Sequence, residues 1–220
     1  MVLTRAAGAF AGFGLMVALA LGAVGSVQAQ NPGKPGVFDY YVLTLSWSPA
    51  FCASKGAQAP ADQCGQDKNY GFVVHGLWPQ YDQGYPASCA VSPDVPKNIV
   101  TETFPIMPSE GLMNHEWKKH GTCSGRTVQE YFTDLRATYD RINLPDRLRA
   151  PPANLQESVS TLVSTLAASG QSFPAGGIVP SCNKQGQVVE VMMCFSRDLD
   201  PRACSASVKS NCPASAKLVR

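Results

Sequence analysis

The amino-acid sequence predicts a single α+β domain stapled by disulfides, and three observations carry that reading. Segments with the composition of buried strands alternate with segments of helical periodicity. Eight cysteines stand behind an apolar leader. The length left after the leader, about 190 residues, suits one hydrophobic core, and no internal repeat divides it.

The leader opens with Arg5, continues as an almost uncharged apolar run from Ala6 to Val24, and ends with small residues Val27 and Ala29 at the spacing that precedes a cleavage point. We read residues 1–29 as a secretory signal peptide and residues 30–220 as the domain. The alternative for so long an apolar run is an uncleaved anchor. No later stretch could cross a bilayer, so no membrane association is expected after cleavage. Removing residues 1–29 takes away one arginine and no acid, which lowers the formal charge from +2 to +1. A nearly neutral chain steers anions weakly, so an anionic ligand must be held by a local cluster.

All eight cysteines, Cys52, Cys64, Cys89, Cys123, Cys182, Cys194, Cys204 and Cys212, follow the leader. An even count in an exported chain predicts four disulfides and an oxidising compartment. No C-x-x-C pair points to zinc or redox chemistry, and spacing alone leaves the connectivity open.

After a Pro/Gly start (Gln30 to Gly36), the stretch Val37 to Trp47, VFDYYVLTLSW, is dense in β-branched and aromatic residues and reads as a buried strand. Asn69 to Gly76 reads as a second strand ended by Gly76 and Pro79, which puts His75 at a strand end. The proline-broken stretch Ser92 to Gly111 is expected to be mostly loop. It leads into a helix around Asn114 to His120 that Gly121 stops. Beyond it, Thr127 and Glu130 stand at capping-box spacing, and Tyr131, Leu135 and Tyr139 recur every fourth residue, the pattern of an amphipathic helix. Asn154 to Gly170 reads as a further helix and Gly186 to Ser196 as a late strand.

The segment His115 to Cys123, HEWKKHGTC, begins like a zinc-protease signature but places its histidines five residues apart rather than four. At about 100° per residue the two imidazoles diverge by roughly 140°, too far to grip one ion from a single helical turn. The same wheel sets Lys119 about 40° and Glu116 about 100° from His115, so His115, Glu116, Lys119 and His120 share one face. Trp117 and Lys118 fall beyond it, at about 200° and 300°. Trp117 can therefore pack on a core while the polar face lines a cleft. An acid/base pair needs a partner from elsewhere, and the only other histidine is His75.

HGLWPQ (His75 to Gln80) followed by HEWKKHGTC closely resembles the two active-site segments of the ribonuclease T2 family of secreted endoribonucleases. YYVLTLSWSPAFC and EVMMCFS with their flanking cysteines look like family features too, so the resemblance spans most of the chain after the leader. It implies an antiparallel sheet flanked by helices and a periplasmic or secreted monomer that needs no metal or cofactor. The implied substrate is single-stranded RNA, not DNA, cut to 2′,3′-cyclic phosphates and then 3′-phosphates with low base specificity.

The resemblance also implies roles. His120 is the general base for the 2′-proton and His75 the general acid for the leaving oxygen. Glu116 and Lys119 stabilise the phosphorane, and His115 holds the phosphate. Trp78 is a platform on which a base stacks, with Tyr81 and Tyr85 as candidate second walls. Gln80 stands where some relatives carry a base-bonding aspartate, so their purine preference does not transfer. The family cysteine pairing is Cys52 with Cys64, Cys89 with Cys123, Cys182 with Cys212, and Cys194 with Cys204.

The chemistry agrees. RNA carries its own nucleophile, so the protein need only move protons and stabilise charge on phosphorus. An ordinary imidazole pKa of about 6.5 allows one ring to be neutral and the other protonated. Structural readings exist for each residue: His75 as a satisfied side chain, Glu116 with His120 as a helix-surface pair, Trp78 as core. A recognition protein on this fold, however, would have no use for an acid/base pair.

Overall fold

The structure, a computed structural model, describes Met1, Val2 and residues 33–220; the expected signal peptide and the start of the Pro/Gly segment lie outside the described residues. In chain order the elements are β1 (Tyr40–Trp47), α1 (Ser48–Lys55), α2 (Ala61–Cys64), β2 (Phe72–Gln80), α3 (Lys97–Thr103), α4 (Glu110–Lys119), α5 (Val128–Ile142), α6 (Asp146–Arg149), β3 (Gln156–Ser158), α7 (Val159–Ala168), β4 (Ile178–Cys182), β5 (Val188–Phe195) and β6 (Lys217–Val219). The main sheet is antiparallel with strand order β2-β1-β5-β4, and β3 pairs with β6 in a small second sheet.

Strand alternation gives the main sheet two unlike faces. Tyr41, Leu43 and Leu45 of β1 lie opposite Phe195, Met193 and Val191 of β5, and all six are at most 2% exposed. On this inner face they pack with Ile99 of α3, Met113 and Trp117 of α4, Phe132 and Leu135 of α5, and Leu162 and Leu166 of α7. Each such side chain contributes roughly 1.5–3 kcal/mol through burial. The outer face carries Tyr40, Val42 and Cys194 in a smaller apolar cluster with Trp78, Met192, Cys204 and Val208. Chemistry can only be built where the core does not claim every position, and that is the outer face.

The capping box that starts α5 is present in both halves: Thr127 accepts from the Glu130 backbone N–H, and the Glu130 carboxylate accepts from the Thr127 backbone N–H. Four expectations need correction. β2 does not stop at Gly76 but continues to Gln80, because it is an edge strand paired only with β1, so the N–H that Pro79 lacks can be spared. The stretch read as loop contains α3, which Pro96 introduces and which buries Ile99, Val100 and Thr103. The helix read from Asn154 begins only after Ser158, whose hydroxyl accepts from Thr161 N–H; the residues before it are drawn into β3 by the distant β6. α4 likewise starts earlier than Asn114, capped by Ser109.

All four disulfides follow the family pairing: Cys52–Cys64, Cys89–Cys123, Cys182–Cys212 and Cys194–Cys204. Among the described residues no helix is long and apolar enough to cross a membrane.

Candidate active site

The site begins with an irregularity in β2. Thr44 pairs with Gly76 and Leu45 with Val74, which leaves His75 as an extra residue, a β-bulge. Bulges re-aim side chains, and here His75 joins Trp78 and Gln80 in lining one cleft of about 300 Å³. Gly76 makes the next step possible. A Cβ there would collide with the Glu116 carboxylate and the Trp78 indole.

α4 supplies the opposite wall. His115, Glu116, Lys119 and, just past the helix end, His120 all line the same cleft, with Tyr85, Val42, Met192 and Val208 around them. The side chains excluded by the helical wheel turn away. Trp117 packs in the core and donates its indole N–H to Ser92 Oγ at 2.6 Å, while Lys118 pairs with Asp94. The Cys89–Cys123 bridge, with a Ser88 N–H to Lys119 carbonyl bond of 2.7 Å, ties the segment after β2 to the end of α4.

Glu116 is 2% exposed, accepts from Trp78 Nε1 at 2.6 Å, and holds its other oxygen 3.6 Å from His75 Nε2. Burial pushes its carboxyl above the usual range, although His75, the indole bond, His115 and Lys119 pull the other way. For His75, burial disfavours the charged ring. The Glu190 hydrogen bond of 2.7 Å to Nδ1 and the charges of Glu116 and Glu190 outweigh it, so the net shift is upward. His120 has no carboxylate to offset its burial. Desolvation, then Lys119, His115 and His75, drive its pKa down to about 3.

Trp78 lies between the two rings, its centroid 5.3 Å from His75 and 5.3 Å from His120. Tyr85 is exposed beside His120 at 5.7 Å. Tyr81 is the exception among the expected site residues: it does not line the cleft. One residue beyond Gln80 it falls on the opposite side of the chain and packs against the main core. Two residues of the site escaped sequence reading. Gly76 was read as a strand stop, and Glu190 was hidden in an apolar strand, where a lone acid among Val and Met was the available signal. A larger hollow of about 470 Å³, lined by Lys68, Tyr70, Tyr139 and Arg149 among others, includes no histidine. Among the described residues no three His, Cys, Asp or Glu side chains gather as metal ligands would.

A cleft holding one imidazole that favours its proton, one that refuses it, a lysine and a buried carboxylate is equipped to move two protons around an anionic centre. Residues 38–204 match the family model of the ribonuclease T2 family. A ribonuclease of Aeromonas hydrophila is 40% identical over 162 residues, covering 72% of this chain and 66% of that protein. A probable ribonuclease of Haemophilus influenzae is 38% identical over 131 residues, covering 54% and 47%. The chain thus spans less than two thirds of the length of these relatives. Trichomaglin, described as an S-like ribonuclease, shares the fold, with a TM-score of 0.65 at 22% identity over 83% of this chain and 97% of its own. On the extent of the family match, the chain belongs to the ribonuclease T2 family.

Proposed function

We propose that the protein is an exported, metal-independent endoribonuclease that cleaves single-stranded RNA by transphosphorylation to 2′,3′-cyclic phosphates and then hydrolyses these to 3′-phosphates. The observation that carries the reading is the opposite protonation preference of the two histidines lining one cleft. His120, neutral at ordinary pH, accepts the 2′-hydroxyl proton as that oxygen attacks phosphorus. His75, protonated, delivers its proton to the departing 5′-oxygen. Each proton has a donor and an acceptor, and the roles reverse when water opens the cyclic ester.

Charge gathers on the non-bridging oxygens during both steps. Lys119 and the exposed His115 are the cationic and donor groups within reach of it, and Glu116 polarises the same centre. Trp78 and Tyr85 offer aromatic faces to a base and Gln80 an amide. Stacking accepts any base, which supports low base specificity. Four disulfides and the leader sequence support an oxidising compartment. The test is incubation with RNA and with DNA in excess EDTA, followed by analysis of product ends. RNA should yield cyclic and then 3′-phosphate ends while DNA stays intact; comparable cleavage of DNA would end the 2′-hydroxyl mechanism.

A further inference from the structure

We infer that Glu190 is a positioning residue for His75: it fixes the imidazole with Nδ1 protonated and Nε2 facing the cleft, and its charge keeps the ring cationic. The inference rests on the ribonuclease reading and deepens it by explaining how a strand histidine becomes a general acid.

Glu190 is on β5 and His75 on β2, two strands that do not touch, because β1 runs between them. Strand centres lie about 4.8 Å apart, so the pair must bridge roughly 10 Å. Three features make this possible. The bulge at His75 releases its side chain from regular alternation. The β1 residue opposite Glu190 is Ser46, small enough to leave the crossing open, and Ser46, His75 and Glu190 line one hollow of about 170 Å³. The long Glu190 side chain then reaches His75 Nδ1 at 2.7 Å.

A carboxylate on one ring nitrogen directs the other to the substrate, because the hydrogen bond selects both tautomer and ring angle. The second nitrogen, Nε2, faces Glu116 at 3.6 Å on the cleft side. The charged groups acting on His75 are therefore Glu190 from β5 and Glu116 and Lys119 from α4, with His115 and His120 across the cleft. Of these, only Glu190 meets Nδ1.

Two variants separate orientation from charge. Glu190→Ala should lower kcat/KM on a dinucleoside phosphate by about 10-fold or more, chiefly through kcat, and leave a uridine 3′-aryl phosphate, whose leaving group needs no proton, nearly unaffected. Glu190→Gln keeps an acceptor for Nδ1–H but removes the charge. It should restore most activity at acid pH and move the alkaline limb to lower pH. Nitrogen-15 NMR of the His75 ring, taken at a pH above its transition where the ring is neutral, should show the Nδ1–H tautomer in the wild type and its loss in Glu190→Ala. Equal losses on both substrates, or an unchanged ring tautomer and titration in Glu190→Ala, would overturn the inference. A wild-type chain that left the dinucleoside phosphate intact would instead overturn the ribonuclease reading, and the NMR titration would still decide whether Glu190 fixes the ring.

Discussion

His75 stands on a bulged edge strand, its side chain 32% exposed, with a carboxylate near each ring nitrogen. His120 sits past the end of α4, 5% exposed, with Nδ1 buried and unpartnered and with Lys119, His115 and His75 as its charged surroundings. One effect opposes the second arrangement: the negative end of a helix favours a cation by about 0.3–1 kcal/mol, at most ~2. At about 1.4 kcal/mol per pKa unit, that could not return a group held near 3 to the ordinary 6.5. Burial therefore decides at His120, while nearby carboxylates decide at His75. The same side chain acquires opposite protonation preferences from partner supply, and partner supply follows from where the backbone places each ring.

The largest effect that can break this comparison is removal of either ring. His75→Ala and His120→Ala should each lower turnover on RNA by about 10²- to 10⁴-fold, with folding retained because both side chains line a cleft. An activated aryl phosphodiester of uridine should then distinguish them. His75→Ala should recover much of its deficit there, since the leaving group needs no proton, and His120→Ala should not. The reverse pattern would exchange the roles, and full activity of both variants on RNA would end the acid/base reading.

Next in size is the staple between the two walls. Replacing Cys89 and Cys123 together with serine should lower stability by roughly 3–4 kcal/mol, the effect of opening a loop of this length. Activity should fall in parallel, because the bridge joins the segment after β2 to the end of the helix that carries His120. Urea denaturation alongside kcat/KM checks it. Lost stability with full activity in the folded fraction would mean that α4 holds its place without the bridge.

How much of this was legible in the sequence depended on the range of each signal. The wheel over His115 to His120 required only helical geometry, and it separated the cleft residues from Trp117 and Lys118 as the structure does. The Thr127–Glu130 capping box was equally local. The bulge at His75 was not legible, because it exists only in the register between β1 and β2. β3 was misread as helix since its partner β6 lies some sixty residues away. Tyr81 lies off the cleft because β2 runs on to Gln80 and alternation turns the next side chain away, and Glu190 was invisible as a partner because the strand order that brings it across β1 is a tertiary fact. Local periodicity revealed one histidine's setting and sheet topology concealed the other's.

A smaller effect should come from the ring between the histidines. Trp78→Ala should weaken substrate binding by about 1–3 kcal/mol if the indole is a stacking wall. Trp78→Phe keeps an aromatic face but removes the 2.6 Å bond to Glu116, so it should retain binding and lose kcat. Titration with a non-cleavable nucleotide, beside kcat, reads both. Loss of fold in Trp78→Ala with no binding-specific defect in its folded fraction would make the residue core rather than platform.

The smallest expected effect is no change at all, over a defined interval of pH. If both histidines kept the ordinary pKa of about 6.5, the productive pair, one neutral and one protonated, would never exceed about a quarter of the molecules, and activity would peak sharply near that pH. Here the two are pushed apart. As pH rises, activity should fall only when His75 loses its proton, above 6.5 because its net shift is upward. As pH falls, His120 stays neutral down to about 3, so the first group to change charge is Glu116, whose burial raises it above the usual carboxylate value of 4.5. Between the Glu116 and His75 transitions kcat/KM should be flat, and Glu116→Gln, though slower throughout, should extend the flat region on its acid side. Stability should follow the same signs. The His75 contribution is present below 6.5 and lost as pH rises through its raised pKa, whereas the His120 contribution is present above 6.5 and lost as pH falls toward 3. A narrow bell centred near 6.5 in the wild type would mean that the two rings are not separated by their surroundings, and the assignment of acid to His75 and base to His120 would lose its physical basis.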